Sequence, residues 1–135
     1  LVKVLPYHPF LVKPNNHELG DIFGVKLSTR EEVVPYGRKL QEMGAQNVLI
    51  SMAGEGAVLI AADGQSMGAP APKGTLVNGV GAGDSMVAGF LTGWMEKKDY
   101  VYAFHMGIAA GSASAFSENL ATREEVLQVL QQVEQ

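Results

Sequence analysis

The first half of the chain alternates short apolar runs with amphipathic segments. Residues 48–52 and 57–61 are apolar runs of strand length, and a shorter run lies between Pro9 and Pro14. Because only a short turn separates the two longer runs, they are predicted to form an antiparallel hairpin. Residues 68–73 contain two prolines, which indicates a loop or an edge strand.

Two helices are predicted between these strands. A short one follows Asn15 and ends near Phe23. A longer one opens at Thr29 with the sequence Thr-Arg-Glu-Glu, a capping box whose last glutamate reaches back to the cap. This helix contains Pro35, a candidate kink, and we expect it to stop at Gly44.

Helical patterns dominate the second half of the chain. Apolar residues recur at helical spacing from Asp84 to Trp94, and a segment crowded with Ala, Gly and Ser extends from Tyr100 to Phe116. A second capping box opens a final helix at Thr122. The predicted apolar face of that helix consists of Val126, Leu127, Leu130 and Val133. Alternating strands and helices predict an α/β layer fold with a mixed, mostly parallel sheet.

Composition narrows the classes of function. The 135 residues are 47% hydrophobic and carry a formal charge of −4, which is typical of one soluble globular domain over residues 1–135. The acidic balance and the lack of a basic stripe argue against a nucleic-acid partner, and no apolar run is long enough to span a membrane. The absence of cysteine excludes thiolate metal sites and cysteine nucleophiles. We therefore expect a cytoplasmic protein, and the start at Leu1 suggests that an N-terminal part is missing.

The segment Gly81-Ala82-Gly83-Asp84 carries the clearest chemistry. Glycines let a backbone approach phosphate closely, and the free N–H groups and the dipole of a helix start bind anions. An aspartate there stays ionised and can accept the proton of an attacking hydroxyl during phosphoryl transfer. The alternative is a helix cap that follows a glycine turn, and the spacing alone leaves both interpretations open.

Residues 78–90 read Asn-Gly-Val-Gly-Ala-Gly-Asp-Ser-Met-Val-Ala-Gly-Phe and resemble the C-terminal signature of the ribokinase-like carbohydrate kinases, the phosphofructokinase-B family. The similarity extends from Lys13 to Glu124 and favours the branch of bacterial 1-phosphofructokinases and tagatose-6-phosphate kinases. It implies the C-terminal portion of a three-layer ribokinase-like fold, with Asp84 as the catalytic base. It also implies an anion hole formed by the backbone of Gly81, Ala82 and Gly83.

The same resemblance implies that ATP and Mg²⁺ are used. Asn15-Asn16-His17-Glu18 matches the family's Asn-x-x-Glu motif, in which Asn15 would help to place the phosphates and Glu18 would act on Mg²⁺ through water. The other nucleotide-binding residues that it implies are Ser51, Met52, Ala53, Gly54, Glu55, Gly56, Gly83, Gly111 and Ser114. The sequence departs from the family pattern at Ala53, where glycine is commoner, and at Asn78, where many members carry the aspartate of a potassium-linked loop. We therefore predict no potassium site.

Structural alternatives stand beside these assignments. Asn15 could make an Asx turn after the strand, with Glu18 as a solvated acid in the first helical turn. Residues 51–56 could be an ordinary hairpin turn. The small residues at 111–115 could serve tight helix packing instead of adenine binding.

The implied reaction transfers the γ-phosphate of ATP to fructose 1-phosphate and gives fructose 1,6-bisphosphate, with tagatose 6-phosphate as the alternative acceptor. Relatives in this branch often form homodimers through a strand lid in the N-terminal half, which also supplies most sugar contacts. Residues 1–135 alone are therefore expected to be inactive. Two other hypotheses are a nucleotide-binding module without catalysis and a fragment in which the same residues only stabilise the fold.

Overall fold

The computed structural model describes residues 2–52, 55–70, 82–115 and 123–134. The chain divides into two compact units, Leu1–Pro70 and Ala71–Gln135. No helix within the described residues is long and apolar enough to cross a membrane. The prediction that residues 1–135 form one functional domain stays a prediction.

The first unit is a four-stranded sheet with two α-helices. The strands are β1 (Leu11–Val12), β2 (Asn47–Ser51), β3 (Ala57–Ile60) and β4 (Ser66–Ala69), and the helices are α1 (Asn16–Phe23) and α2 (Arg30–Glu42). The strand order is β1-β2-β3-β4, in which β1 pairs parallel to β2 and the other two pairings are antiparallel. The mixed sheet and the hairpin of β2 and β3 confirm the sequence prediction. The expectation of a mostly parallel sheet was wrong for the described strands, because only short connections join β2, β3 and β4 and these make antiparallel pairs. Residues 66–69 form an edge strand of the described sheet, one of the two alternatives left open for the start of the proline-containing segment.

The start and the end of helix α2 are determined by its local sequence. Thr29 Oγ1 accepts a hydrogen bond from the Glu32 N–H at 3.2 Å, and Glu32 Oε1 accepts one from the Thr29 N–H at 2.9 Å, so the predicted capping box is present. The helix continues through Pro35 and reaches its C-cap at Met43. Gly44 follows with a φ of 137°, a backbone conformation that favours glycine.

The core of the first unit lies between α2 and the sheet. A β-carbon at Gly37 of α2 would lie 2.7 Å from Ile60 Cγ1, so the absence of a side chain there lets the helix approach the sheet closely. The buried aliphatic residues of β2 and β3 complete this core. Asn47 is the one buried polar side chain among the described residues, and it is fully buried.

The second unit contains three helices, α3 (Ala82–Lys97), α4 (Tyr100–Ala115) and α5 (Arg123–Glu134). Helices α3 and α4 pack through glycines, since a β-carbon at Gly89 would lie 2.6 Å from the Met106 carbonyl oxygen and one at Gly107 would lie 3.0 Å from the Met86 carbonyl oxygen. Close helix packing therefore explains part of the small-residue content of α4.

Helix α5 packs on α4 through a slightly different face from the predicted one. Leu130 is buried against Met106 and Ala109, with Val126 and Val129 packed beside it. Leu127 is 37% exposed, so its assignment to the apolar face was wrong, and Val129 contributes in its place. Residues 127 and 129 flank the direction shared by Val126 and Leu130 on opposite sides, so the position of α4 decides which of the two is covered. Thr122, the predicted cap of this helix, lies outside the described residues.

Candidate functional site

The carboxyl ends of β1 and β2 bring together two segments that are far apart in the sequence. The Ser51 N–H donates to the Pro14 carbonyl at 3.1 Å, and Asn15 and Ser51 form an isolated parallel bridge. The start of the Asn-x-x-Glu motif and the start of the predicted ATP-contacting turn are therefore neighbours. They lie at the carboxyl end of parallel strands, where open α/β sheets bind ligands.

Asn15 and Glu18 form a reciprocal capping box at the start of α1. Asn15 Oδ1 accepts from the Glu18 N–H at 2.7 Å, and Glu18 Oε1 accepts from the Asn15 N–H at 2.9 Å. Asn15 thus caps the helix through a capping box instead of the Asx turn of the structural alternative, while Glu18 is an exposed acid in the first turn, as that alternative expected. The box does not use every polar atom, because within the described part of the chain Asn15 Nδ2 and Glu18 Oε2 make no hydrogen bond.

The turn after β2 closes on itself through main-chain hydrogen bonds. The Met52 N–H donates to the Gly56 carbonyl at 2.9 Å, and the Glu55 N–H donates to the Met52 carbonyl at 3.0 Å. Gly56 has a φ of 95°, which a residue with a side chain rarely adopts. The Met52 side chain belongs to the hydrophobic core, whereas Glu55 is exposed. Ala53 and Gly54, also predicted to bind nucleotide, lie outside the described residues.

In the second unit, the glycine segment precedes a long helix, as predicted. Helix α3 begins at Ala82, so Gly83 and Asp84 lie in its first turn, where main-chain N–H groups lack helical acceptors. These amides and the positive end of the helix dipole favour an anion. Gly81 and the side chain of Asp84 lie outside the described part of the structure.

The two residues predicted near the adenine lie on the C-terminal half of α4. Gly111 is buried, and Ser114 lies in the last turn, with its side chain outside the described residues. Gly107 and the buried Ala110 of the same helix contact α3. Gly107 and Ala110 therefore serve helix packing, whereas both the packing and the adenine-binding interpretations of residues 111–115 stay predictions.

Among the described residues, no group of three or more histidines and acids lies together as a metal site. The described candidate for Mg²⁺ is therefore the single carboxylate of Glu18. A single exposed carboxylate oxygen fits a magnesium ion that keeps most of its water, because Mg²⁺ is commonly held through one or two carboxylates and the phosphates of its substrate.

Two side-chain amides that link distant segments of the first unit were missed at the sequence level. Asn16 Nδ2 donates to the Leu27 carbonyl at 2.9 Å and joins the start of α1 to the segment after that helix. Asn47 Nδ2 donates to the Phe10 carbonyl at 2.8 Å, and its Oδ1 accepts from the Ala62 N–H at 2.7 Å. A polar residue directly before the apolar run of β2 was the one available signal for Asn47.

The family model described as "pfkB family carbohydrate kinase" matches residues 1–127. The chain belongs to the pfkB family of carbohydrate kinases. Over 98% of its length it is 52% identical to the 1-phosphofructokinase of Bacillus subtilis (strain 168) and 38% identical to that of Borreliella burgdorferi. It is also 36% identical to the D-tagatose-1-phosphate kinase of Bacillus licheniformis. The family recognised from residues 78–90 is therefore confirmed.

The chain covers only 44% of the Bacillus subtilis relative, less than half of its length. Among solved structures, a candidate phosphofructokinase from Staphylococcus aureus matches with a TM-score of 0.92 and 40% identity, over 97% of this chain and 42% of that one. Ribokinase from Arabidopsis thaliana, solved with ribose and ATP, matches with a TM-score of 0.78 at 24% identity over 90% of this chain and 40% of that one, a similarity of fold alone. The predicted ribokinase-like fold is thus confirmed.

Proposed function

We propose that the whole protein transfers the γ-phosphoryl group of ATP to a hydroxyl of fructose 1-phosphate and releases ADP and fructose 1,6-bisphosphate. The observation that carries this proposal is the position of Asp84 in the first turn of α3, directly after a glycine segment, in a chain of the pfkB family. The 52% identity to a protein named 1-phosphofructokinase supports the choice of acceptor.

In the proposed reaction, the carboxylate of Asp84 accepts the proton from the O6 hydroxyl of the sugar. The bond between O6 and the γ-phosphorus forms, and the bond between that phosphorus and the bridging oxygen of ADP breaks. The main-chain N–H groups of Gly81, Ala82 and Gly83 donate to the phosphoryl oxygens, on which charge is spread in the transition state. A helix start suits this role because its amides are already oriented before the substrate arrives.

Asn15 and Glu18 are assigned to the phosphates and to magnesium. The Asn15 Nδ2 amide, which the capping box leaves unused, would donate to a phosphate oxygen, and Glu18 Oε2 would accept from a water molecule of a bound Mg²⁺. Bound Mg²⁺ would neutralise charge on the phosphates. The capping box holds both side chains in one orientation, so they need not be ordered when the nucleotide binds.

The remaining nucleotide contacts are assigned from the family pattern. They comprise Ser51, Met52, Ala53, Gly54, Glu55, Gly56, Gly83, Gly111 and Ser114. Since the Met52 side chain lies in the core, any contact from this residue comes from its backbone. The homodimer and the cytoplasmic location stay predictions for the whole protein.

A second acceptor, D-tagatose 1-phosphate, is favoured by two relatives that are named D-tagatose-1-phosphate kinase. This sugar differs from fructose 1-phosphate in the configuration at C4, so both acceptors offer the same O6 hydroxyl. These names favour the 1-phosphate over the tagatose 6-phosphate expected from the sequence. Turnover of the whole protein with fructose 1-phosphate, tagatose 1-phosphate and tagatose 6-phosphate in parallel ranks the three acceptors.

The Asp84→Asn variant of the whole protein tests the assignment of the base. Asparagine keeps the shape and the capping ability of aspartate but cannot accept a proton, so kcat should fall by about 10²- to 10⁴-fold. Asp99→Asn is the matched control, because Asp99 Oδ1 caps α4 by accepting from the Val101 N–H at 2.8 Å, and its kcat should stay within about twofold of the parent. Turnover by Asp84→Asn within a few fold of the parent would show that Asp84 is not the base.

A further inference from the structure

Asn16 joins the first turn of α1 to the chain that returns from this helix. Its Nδ2 donates to the Leu27 carbonyl at 2.9 Å. Leu27 is buried in the core of the first unit, so this acceptor belongs to a well-packed part of the structure. Asn16 thereby links the start of α1 to the backbone of a residue in the hydrophobic core.

The other end of α1 is held by a separate contact. Gly24 ends the helix with a φ of 67°, and the Val25 N–H donates to the Gly20 carbonyl at 3.0 Å. A β-carbon at Gly20 would collide with the Val25 carbonyl oxygen, so the returning chain lies directly against the helix. With this end fixed, the Asn16 hydrogen bond holds the first turn to the returning chain at a second point.

We propose that Asn16 is a positioning residue that orients the Glu18 carboxylate for the nucleotide-bound metal. The inference rests on the role proposed above for Glu18. Glu18 is exposed, and its one hydrogen-bonded oxygen is held by the Asn15 N–H of the same helical turn. The capping box is thus internal to the turn and cannot fix the turn relative to the rest of the unit. The Asn16–Leu27 hydrogen bond supplies that external reference, next to the bridge between Asn15 and Ser51.

A purely structural role would have a different signature. Gln41 Nε2 also donates to main-chain carbonyls, those of Gln46 at 3.1 Å and Ala61 at 3.0 Å. These acceptors lie at the opposite end of β2 from Ser51. Gln41→Ala therefore removes hydrogen bonds of the same chemical kind without touching the start of α1, and it serves as the matched control.

The test measures steady-state kinetics of the whole protein with Mg·ATP varied at saturating sugar phosphate. Asn16→Ala should raise the KM for Mg·ATP about fivefold with kcat within twofold. The orientation of Glu18 that this hydrogen bond provides beforehand must then be gained when Mg·ATP binds, at a cost limited by the roughly 1 kcal/mol that one such bond contributes. Gln41→Ala should leave that KM within twofold. In a Glu18→Gln background, which keeps the cap but removes the charge, Asn16→Ala should raise the KM by less than twofold, because the carboxylate that it orients is gone.

Three results would overturn the inference. They are a KM for Asn16→Ala within twofold of the parent, an equal rise in Gln41→Ala, and the same fivefold rise in the Glu18→Gln background. The failure of the proposed reaction is separate, since Asp84→Asn reports on the base through kcat and is independent of the Mg·ATP measurement. A loss of turnover in Asp84→Asn together with a normal KM in Asn16→Ala would leave the kinase assignment intact and remove the role of Asn16.

Discussion

Replacing Asn47 tests how a single buried amide holds β1 to the rest of the first unit. Asn47 is 0% exposed and makes two side-chain hydrogen bonds, to the Phe10 carbonyl at 2.8 Å and from the Ala62 N–H at 2.7 Å. One side chain thus links the residue before β1, the start of β2 and the turn after β3. Asn47→Ala removes both bonds and leaves a small cavity.

The expected loss for Asn47→Ala is about 2–3 kcal/mol in the free energy of unfolding. Each neutral hydrogen bond contributes about 1 kcal/mol, and the cavity adds a smaller amount. The Phe10 carbonyl keeps its bond from the Asn47 main-chain N–H at 3.0 Å, which limits the loss. Gln46→Ala is the matched control because its Nε2 bond to the His8 carbonyl is exposed, and its loss should stay within about 0.5 kcal/mol.

Asn47→Asp should make the free energy of unfolding depend on pH, and the same two contacts give the sign of that dependence. Above its pKa the carboxylate still accepts from the Ala62 N–H, but it faces the Phe10 carbonyl oxygen without a proton to donate. Burial and this oxygen raise the pKa of the introduced carboxyl in the folded state. Stability is therefore highest below the unfolded-state pKa, near about 4, where the protonated group can donate, and it falls as the pH rises through the folded-state pKa.

Urea unfolding of the whole protein and of both variants between pH 4 and pH 8 measures the loss in free energy of unfolding for each variant. The deficit of Asn47→Ala should be independent of pH, and that of Asn47→Asp should grow as the pH rises. Equal deficits of Asn47→Asp at both ends of the range, or a loss below about 0.5 kcal/mol for Asn47→Ala, would refute the assigned hydrogen bonds.

Two further predictions concern helix α2 and the contact between α3 and α4. Hydrogen bonds from the main-chain N–H groups of Ser28 and Thr29 lower the pKa of Glu32 in the folded protein. The ionised Glu32 therefore stabilises the fold fully above its ordinary pKa of 4.5, and this stabilisation is lost as the pH falls through the lowered pKa. Glu32→Gln should therefore flatten the acid limb of the stability curve in urea titrations, and an unchanged limb would contradict the assignment. Gly89→Ala should lower the melting temperature, because a β-carbon 2.6 Å from the Met106 carbonyl oxygen costs about 1–3 kcal/mol, against a gain of about 1 kcal/mol in helix propensity. An increase in melting temperature on calorimetry would show that the two helices separate without cost.

Elements that depend on local sequence were predictable. The capping box at Thr29 and the hairpin of β2 and β3 needed only residues within a few positions of each other, and both are present. The neighbourhood of Asn15 and Ser51 was not predictable from the residues alone, because it depends on the parallel pairing of strands separated by α1 and α2. The order of the motifs within a known family suggested that they act together, and the pairing supplies a physical reason.

The apolar face of α5 shows a second limit of prediction from the sequence. Helical periodicity places Val126, Leu127 and Leu130 within one broad stripe, and only the position of α4 decides which edge of that stripe is covered. Leu127 falls at the open edge and Val129 at the covered one. Periodicity thus predicts that a helix is amphipathic more accurately than it predicts the direction of its buried face.

The three asparagines at positions 15, 16 and 47 show why residue type alone could not assign the remaining roles. All three use a side-chain amide to bond main-chain groups, but Asn15 caps its own helix, Asn16 reaches the chain that returns from that helix, and Asn47 joins three segments in the core. The first role depends only on local residues, and the sequence analysis predicted a local role for Asn15, although as an Asx turn and not as a cap. The other two depend on acceptors 11 and 37 positions away in the chain, at Leu27 and Phe10. An amide that lacks a local partner is therefore where the structure adds most to the interpretation of this sequence. Asn16 holds the segment that carries Asn15 and Glu18, and Asn47 holds the opposite end of β2.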